Sequence, residues 1–557
     1  MAKASEFTSD GSRSPRSYFE QIRRCAGLIP LNVFATANNR FSLDFAALET
    51  HLALEREFLN DSTRAKLLRL RRRRLHEPLT IVFTRAGALL NIKLLLGTVR
   101  PDNPYRPTAV GACALHANDF VESLDTSALR SGLLPAVAEF AATWELQNPR
   151  EPAPLLRRSY YIYDRLLRTS SAIRAFIDAE LHVPVEHVYF GGLPFSSYFP
   201  LLFGLYTVAV NAVRNEATSI VDARDVAAKA KISTDQFVAF AELKARSILD
   251  SEREFGLIDA PADFRSRVED IRWVSDALPF RDRPLLAMPN GTYMVLDVQL
   301  LFENASAGLF WNFMNQLPSR KARHTFSGHW GKVFERYVQD LVRHYFPAVE
   351  SNVTFDGGDL DLFLRAGSDA LAFEVKSGFL AQHVKASRSG SVVGDELRKK
   401  FVVDDDGGAK GVRQLAIAIR ALREQKVART VDDIRRIYPV LVVEDPVMQT
   451  IAMNAYLNEL FEQELDRNHD VAPLTVLLID ELEELLPHVH AGDFSWPEIF
   501  GARLVGGKVV AYPMHTTLSE LGNEKRLPIR QDTFLKSHGD ELMAMISSAY
   551  EKLLGRG

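Results

Sequence analysis

The sequence predicts a multi-domain α/β protein in which a helix-rich N-terminal domain precedes a mixed β-sheet core flanked by helices. The chain has 557 residues, more than one ordinary domain of roughly 100–200 residues. Its first half shows mainly helical periodicity, whereas its second half alternates apolar, strand-like runs such as YPVLVVED and LTVLLID with amphipathic helices. This alternation is typical of a sheet covered by helices.

Changes in composition divide the chain into five segments. We expect a disordered, Ser-rich tail over 1–16, a mainly helical domain over 17–270, a β-hairpin and helix connector over 271–320, a sheet-containing domain over 321–510, and a C-terminal linker and helix over 511–557. The connector is predicted from two apolar runs that flank Pro289-Asn290-Gly291, a strong turn signal. The helical domain is the part expected to bind a partner or nucleic acid.

Charge and cysteine content limit the classes of function. The formal net charge of −4 gives no general attraction to polyanions, so nucleic-acid binding needs local basic patches. Cys25 and Cys113 form no metal-binding or disulfide pattern, which suits a reducing compartment. Residues 1–15 lack the apolar core of a signal peptide, so we expect a cytoplasmic protein.

The segment 189–213 carries no charged residue and is long enough to span a bilayer. Pro194, Pro200 and several glycines interrupt it, and no Lys/Arg cluster closely flanks one side. We therefore favour a buried core helix over a membrane span.

A basic run, RLRRRRL, ends a helical pattern in the N-terminal half. One interpretation is a phosphate-binding patch, and the other is a solvated helix face near a helix C-terminus, which we favour. The residues of this patch are Arg69, Arg71, Arg72, Arg73 and Arg74.

A second N-terminal pattern predicts two short helices, one capped by Asp222 and the next by Ser233 or Thr234. Such a pair fits a helix-turn-helix, although Lys231 stands where the turn often has glycine. We favour a packing role for it over DNA contact.

The segment 358–376 predicts a β-hairpin. Leu360, Leu362 and Leu364 alternate with Asp359 and Asp361, which places both aspartates on one face. In the next run, Leu371, Phe373 and Val375 share one face, and Glu374 and Lys376 share the other. A turn at Gly367-Ser368-Asp369 would bring Asp361 within reach of Glu374 and Lys376.

An amphipathic helix precedes this hairpin. Its apolar stripe runs from Phe334 to Tyr345, and Pro347 ends it. His329 is expected to lie near its start, and the preceding basic stretch from Pro318 to His324 is expected to be a linker. Glu335 lies at the edge of the stripe, where a half-buried carboxylate needs a partner.

The order of these residues resembles the PD-(D/E)XK nuclease superfamily, whose fold is restriction-endonuclease-like. The matching positions are Glu335 on the helix, Asp361 on one strand, and Glu374 and Lys376 on the next. Gln414, in the following helix, stands where several branches keep a glutamine. The proline that usually precedes the aspartate is absent here, since Leu360 precedes Asp361. The resemblance covers roughly residues 325–425 and does not extend to the first three hundred residues.

The resemblance implies a Mg²⁺ or Mn²⁺ cofactor, and carboxylate oxygens are suitable hard ligands for these ions. Asp361, Glu374 and the Val375 carbonyl would hold the ion, with Glu335 contributing directly or through water. Lys376 would orient or deprotonate the attacking water. Two ions are used in many phosphodiester-cleaving sites.

The segment after Lys376 is rich in Gly, Ser, Lys and Asp over 378–411. A mobile loop over the substrate and a plain flexible insertion are equally good interpretations. Its basic residues, together with one in the next helix, are candidate nucleic-acid contacts: Lys385, Arg398, Lys399 and Arg413. No Gly-Lys-Ser or Gly-Lys-Thr loop accompanies the acidic strand LTVLLID, which excludes an ATPase of that type.

We therefore expect a metal-dependent nuclease that hydrolyses phosphodiester bonds, with DNA rather than RNA as substrate, and a role in bacterial restriction or anti-phage defence. A homodimer, or a partner protein bound through the N-terminal half, is compatible with this function. The alternative is a catalytically silent scaffold that binds nucleic acid through the same fold.

Overall fold

The structure is a computed structural model of the whole chain. It describes residues 3–7, 14–25, 28–43, 48–73, 82–98, 106–121, 132–147, 150, 152–214, 220–230, 232–355, 358–404, 406–424, 434–465, 470–506, 509–510, 514–528, 530 and 532–550. It is a multi-domain α/β protein, as the sequence predicts.

Helices dominate the N-terminal half. The first six surround a hydrophobic core that includes Tyr18, Phe34 and Ile92, all almost fully buried. In chain order the helices of this half are α1 (Pro15–Arg24), α2 (Leu28–Leu43), α3 (Leu48–Phe58), α4 (Asp61–Arg73), α5 (Arg85–Gly97), α6 (Pro107–Phe120), α7 (Leu133–Gln147), α8 (Pro152–Tyr161), α9 (Ser171–Leu181), α10 (Phe195–Arg214), α11 (Ala223–Ala230), α12 (Thr234–Lys244), α13 (Ile248–Phe255), α14 (Pro261–Glu269), α15 (Ile271–Ser275) and α16 (Leu278–Asp282).

The predicted tail is partly ordered. Ala4–Phe7 forms a 3-10 turn, and the Ser5 hydroxyl donates to Asp119 Oδ1 at 2.5 Å. Helix α1 already begins at Pro15, with Ser14 as its N-cap. The interpretation of 1–16 as a uniformly disordered tail is therefore wrong for these residues, because a buried carboxylate anchors them.

The uncharged segment forms helix α10, which has Pro200 inside it. Tyr198, Phe199 and Leu202 on this helix are buried in the protein core. Among the described residues, no helix is long and apolar enough to cross a membrane.

A small four-stranded sheet contains the predicted hairpin. Strands β5 (Leu285–Ala287) and β6 (Thr292–Val295) pair antiparallel around Gly291, whose φ of 76° suits the turn. Strands β3 (Ile220–Asp222) and β4 (Ala245–Arg246) extend the sheet in the order β3-β6-β5-β4. The connector is therefore joined to residues before the predicted boundary at 270. Strands β1 (Tyr189–Phe190) and β2 (Leu193–Pro194) form a separate hairpin.

The central sheet has five strands in the order β11-β10-β9-β8-β7. Neighbours are antiparallel from β7 to β9 and parallel from β9 to β11. This is the mixed sheet that the sequence predicts. Its strands are β7 (Glu350–Phe355), β8 (Gly358–Ala366), β9 (Asp369–Lys376), β10 (Arg436–Val443) and β11 (Thr475–Leu478).

Helices cover both faces of this sheet. The remaining elements are α17 (Val298–Glu303), α18 (Ala307–Gln316), α19 (Arg320–Tyr345), α20 (Gln382–Ala386), α21 (Gly390–Phe401), α22 (Val412–Arg423), α23 (Ile451–Glu464), α24 (Ile479–His490), α25 (Trp496–Ala502), α26 (Met514–Lys525), α27 (Thr533–Tyr550), and a hairpin of β12 (Leu504–Val505) and β13 (Val509–Val510). The segment 511–557 thus holds a further helix, α26, ahead of the predicted one.

Helix α19 packs on one face of the sheet, and α22 and α23 pack on the other. The buried stripe of α19 continues from Phe334 back to Trp330 and Phe326. The helix begins at Arg320 with Ser319 as N-cap, so the basic stretch from Pro318 to His324 is mostly its first turn and not a linker. His329 consequently lies within the helix, and the helix ends at Tyr345, two residues before Pro347 as predicted.

The segment 378–411 contains two helices, contrary to both interpretations of it as a loop. Val393, Leu397 and Phe401 of α21 are buried. Two glycines of α21 permit close approach to helix α7, because a Cβ at Gly394 would lie 2.7 Å from a methyl of Leu134. A chain segment from the N-terminal half therefore completes the core on this side of the sheet.

Candidate active site

Two of the predicted acids meet at the end of the β8-β9 hairpin. The Asp361 carboxylate accepts a hydrogen bond from the Val375 backbone N–H at 2.6 Å, so it reaches across to β9 beside Glu374. The hairpin turns at Gly367-Ser368, as the sequence predicts, and its register pairs Leu362 with Phe373. Asp361 and Glu374 are both buried, with 8% and 2% of their surface exposed.

The strict alternation predicted for β8 does not hold. Leu362 and Leu364 pack on the side of α19, whereas Leu360 packs in the opposite cluster. Strand β7 keeps one antiparallel register with β8 on both sides of Asn352, which has a φ of 52° and stands opposite Asp361. Asp359 is exposed and Asp361 is buried.

The lysine lies on the same strand as its acid partner. Lys376 Nζ lies 2.5 Å from Glu374 Oε1, and 28% of the lysine side chain is exposed. Leu371, Phe373 and Val375 fill the core on the side of α19, as predicted. The buried carboxylate thus has a cationic partner at the solvent edge of the site.

Helix α19 supplies the third acid. Glu335 is half-buried, and Gln339 Nε2 donates to its Oε1 at 2.8 Å. The same Gln339 amide donates to Asn352 Oδ1 at 3.2 Å, which fixes the helix against β7. Glu335 interacts electrostatically with Asp361 and Lys376. The four predicted residues, these three and Glu374, are therefore close enough to influence one another's charge.

The carboxyl groups of this site hold their protons unusually strongly. Burial raises the pKa of Glu374 to about 8, against the attraction of Lys376. Burial and the nearby Asp361 carboxylate raise the pKa of Glu335 to about 7. Burial also raises the pKa of Asp361. Such shifts are typical of functional sites, where acids are crowded in a poorly solvated place.

These donors suit a divalent cation chemically. Three crowded carboxyl groups on rigid elements offer hard oxygen ligands, and a dication would lower the cost of ionising them together. Among the residues that the structure describes, however, no three His, Cys, Asp or Glu side chains are already grouped as a metal site. The Lys376 ammonium instead provides the positive charge at Glu374. Binding a cation through Asp361, Glu374 and the Val375 carbonyl therefore requires Lys376 to shift.

Gln414 has a local structural role. Its side-chain oxygen accepts from the Gly411 backbone N–H at 2.9 Å, which caps the start of α22. Gly411 has a φ of 46°, so the tight turn before the helix depends on this position. No hydrogen bond joins Gln414 to the other four candidate residues within the described chain.

The basic residues near the site differ in availability. Lys385 is buried, and its ammonium contacts Asp445 Oδ1 at 2.8 Å, so its prediction as a phosphate contact is not supported. Arg413 is half-buried and lies 3.4 Å from Glu464. Arg398 and Lys399 are exposed on α21 and remain candidates.

The arginines of the predicted basic patch in the N-terminal half also differ in exposure. Arg71 contacts Glu55 through two hydrogen bonds of 2.6 and 3.0 Å and is mostly buried, so it is not a free surface cation. Arg69 and Arg72 are exposed on α4. Arg74 and the side chain of Arg73 lie outside the described residues. The two short helices predicted for this segment form as α11 and α12, with Asp222 and Ser233 accepting hydrogen bonds at their starts, whereas Lys231 between them lies outside the described residues.

Sequence reasoning missed two acids at the carboxyl end of β10. Asp445 is fully buried and accepts from the Leu380 N–H at 2.6 Å as well as from Lys385, so it holds the segment that follows Lys376. Glu444 accepts from Trp330 Nε1 at 3.0 Å. The signal was present in YPVLVVED, because side chains that follow adjacent parallel strands gather at one edge of a sheet.

The raised pKa values predict how stability depends on pH. Between about pH 4.5 and pH 8 the folded protein keeps a proton on Glu374 that the unfolded chain releases, so the free energy of unfolding falls as pH rises through this window. Glu374→Gln has no carboxyl group at this position, so this pH-dependent contribution to the free energy of unfolding is absent. We expect thermal unfolding, followed by circular dichroism without divalent cations, to show a flatter pH dependence in the variant.

Mg²⁺ supplies the control for this measurement. At about pH 8 it should raise the unfolding temperature of the wild type more than that of Glu374→Gln, because it favours the ionised carboxylates. Equal pH profiles of the two proteins would contradict the assigned burial of Glu374.

Comparison with known proteins gives no relative: no family model, no curated protein and no solved structure matches this chain.

Proposed function

We propose that the chain is a metal-dependent nuclease with a PD-(D/E)XK-like site, acting on DNA in preference to RNA. The observation that supports this most is the arrangement of Asp361, Glu374 and Lys376 at the end of one hairpin, with Glu335 on the helix packed against it. An aspartate bonded across to the strand that carries the Glu-x-Lys pair is difficult to explain by stability alone. Buried acids without full pairing cost free energy.

In this proposal Asp361 and Glu374 hold a divalent cation, with the Val375 carbonyl as a further ligand, and Glu335 acts directly or through water. The cation would supply charge to the scissile phosphate and lower the pKa of a bound water. Gln339 orients Glu335 by its hydrogen bond. The Val375 N–H keeps one Asp361 oxygen turned toward β9, which leaves the other available for a ligand.

Lys376 is better suited to stabilising charge than to removing a proton. Burial acts to lower the pKa of Lys376, but the acidic groups Glu374 and Asp361 outweigh it and raise that pKa, which keeps the ammonium protonated at neutral pH. We therefore assign Lys376 to orienting the attacking water and offsetting negative charge on the phosphate in the transition state. This role is narrower than the one expected from the sequence, which also allowed Lys376 to deprotonate the attacking water.

The preference for DNA and a role in restriction or anti-phage defence rest on the resemblance of Glu335, Asp361, Glu374 and Lys376 to the superfamily, whereas the cytoplasmic location rests on the cysteine content of the sequence. An RNA-cutting enzyme that a partner activates through the N-terminal half is the second form of the same proposal. A homodimer would suit cutting of both strands of a duplex.

The test is cleavage of plasmid DNA and of labelled DNA and RNA oligonucleotides by the purified protein with Mg²⁺ or Mn²⁺. We expect product with either ion, none after chelation with EDTA, and none from Asp361→Asn at matched concentration. Circular dichroism of the variant checks that it is folded.

A catalytically silent scaffold is favoured by one observation: Lys376 contacts Glu374 where a cation would bind. On that alternative the wild type binds nucleic acid and cuts no substrate with any divalent ion. Cleavage that persists in Asp361→Asn would contradict the assigned site altogether.

A further inference from the structure

We propose that an unpaired nucleic-acid strand reaches the candidate active site along a surface formed by Trp311, Phe379 and the exposed cations of α19, here called the strand-binding face. Its cations are Arg320, Lys321 and Lys332. The inference rests on the proposed nuclease function, and it adds where the substrate strand lies and how its bases are held.

The aromatic part of this face is exposed but firmly supported. Trp311 on α18 has 42% of its surface exposed, unusual for tryptophan. Its ring lies 5.0 Å from that of Phe310 and 6.4 Å from that of Phe379, measured between centroids. Phe310 is buried and packs against Trp330 of α19 at 5.4 Å. An indole held in this way loses little conformational entropy when a base stacks on it.

This aromatic group lies beside the catalytic segment. Phe379 follows Lys376 by three residues and is half-buried, and its ring lies 5.6 Å from Phe310. Trp330, five residues before Glu335 on α19, contacts the same Phe310 ring. The aromatic cluster therefore connects the segment that leaves β9 to the helix that carries the third acid.

The charge along this stretch of the chain is of one sign. No acidic residue occurs from Asn304 to Phe334, a stretch that contains α18 and the first half of α19. The three cations are exposed, and none of them forms an ion pair with a described carboxylate. In a chain of net charge −4, a surface of uncompensated cations beside buried acids is complementary to a phosphate backbone.

The shape of α19 leaves this face accessible. Lys321, Gly328 and Glu335 follow one another at seven-residue intervals and so lie on one side of the helix, about 21 Å from first to last. A Cβ at Gly328 would meet nothing within 4 Å, and one at Gly331 would lie 3.7 Å from Ser377 Oγ, next to Lys376. A backbone can therefore approach α19 closely between its basic start and Glu335.

Stacking on Trp311 requires a base whose flat face is open. In a duplex that face is covered by neighbouring pairs, so the geometry favours a single strand or a frayed end over intact double helix. Stacking of this kind is tolerant of sequence, because every base has a π-face.

The test measures fluorescence anisotropy of a short, fluorescein-labelled single-stranded oligodeoxynucleotide with the full chain in EDTA, which prevents metal-dependent cutting. Loss of one base stack should weaken binding of Trp311→Ala by roughly 5- to 100-fold, whereas Trp311→Phe keeps most of the affinity. Leu249→Ala is the matched control, because Leu249 is 64% exposed on α13, away from this face. Circular dichroism checks folding of each variant.

The salt dependence of oligonucleotide binding tests the cations of the strand-binding face. For the double variant Lys321→Gln/Lys332→Gln, the slope of log Kd against log salt should fall by about 1.4, since each phosphate contact on a single strand contributes about 0.7. Arg253→Gln, an exposed cation on α13, should leave the slope unchanged.

The outcomes separate this inference from the proposed function. If the wild type cuts DNA but Trp311→Ala binds the oligonucleotide as tightly as the wild type, the strand-binding face is wrong and the nuclease stands. Equal weakening toward a fully paired duplex would overturn the preference for an unpaired strand. If the wild type neither binds nor cuts any nucleic acid, both proposals fail.

Discussion

Replacement of Lys376 by methionine is expected to slow metal-dependent cleavage by about 10²–10³-fold, the range typical for removing one group that stabilises charge in the transition state. Methionine keeps most of the aliphatic volume but removes the cation that contacts buried Glu374. Because the ammonium no longer occupies this carboxylate, we expect Mn²⁺ to bind at least as tightly as in the wild type. The variant therefore separates charge stabilisation from metal binding.

Single-turnover cleavage of a labelled oligonucleotide measures the first effect, and isothermal titration with Mn²⁺ measures the second. Lys525→Met is the matched control, because Lys525 is also partly exposed and paired with a glutamate, yet lies on α26. Loss of cleavage together with loss of Mn²⁺ binding would show that Lys376 organises the site. Unchanged cleavage would remove Lys376 from the chemistry.

The part of the site that could be predicted from sequence is the part fixed by local patterns. The turn at Gly367-Ser368 and the apolar alternation of β9 determine the hairpin, and the hairpin brings Asp361 to Val375. The buried stripe of α19 likewise places Glu335 at the edge of the core. Each of these depends on neighbours within a few residues or on one tight turn.

The features that sequence reasoning missed depend on distant parts of the chain. Lys385 looked like a surface cation, and only the fold shows Asp445 beside it, sixty positions away. Segment 378–411 has a loop-like composition, yet its glycines let α21 pack against Leu134 of α7. Leu360 packs with residues of α22 and α23, in the cluster opposite to that of Leu362 and Leu364. No window of local sequence contains these partners.

The predicted boundary near residue 320 is crossed by hydrophobic packing. One hydrophobic cluster includes Ile162 and Leu202 from the N-terminal half together with Phe334, Phe373 and Leu535. The C-terminal helix α27 packs against α8, as the ring contact between Phe534 and Tyr161 shows. Helices from both ends of the sequence thus complete the core that supports the candidate active site.

Substitution of Arg158 by methionine tests whether the N-terminal half stabilises the core around the candidate active site. We expect it to lower the free energy of unfolding by about 3–5 kcal/mol, because removing one partner of a buried ion pair leaves the other charges buried and unpaired. Arg158 on α8 is 4% exposed and donates to Glu483 Oε1 at 2.7 Å, and it also contacts Asp480.

The same Glu483 oxygen accepts from Tyr337 Oη at 2.6 Å, so loss of Arg158 also weakens a contact that positions α19, the helix of Glu335. Urea unfolding followed by tryptophan fluorescence measures the change, with Arg168→Met as control, since its exposed pair with Asp164 should contribute below about 1 kcal/mol. A comparably small loss for Arg158→Met would mean that the two halves are energetically independent and that the boundary near 320 is real. The expected large loss would instead make the N-terminal half part of the scaffold that holds the candidate active site, so a fragment beginning at residue 321 would lack helices that its core requires.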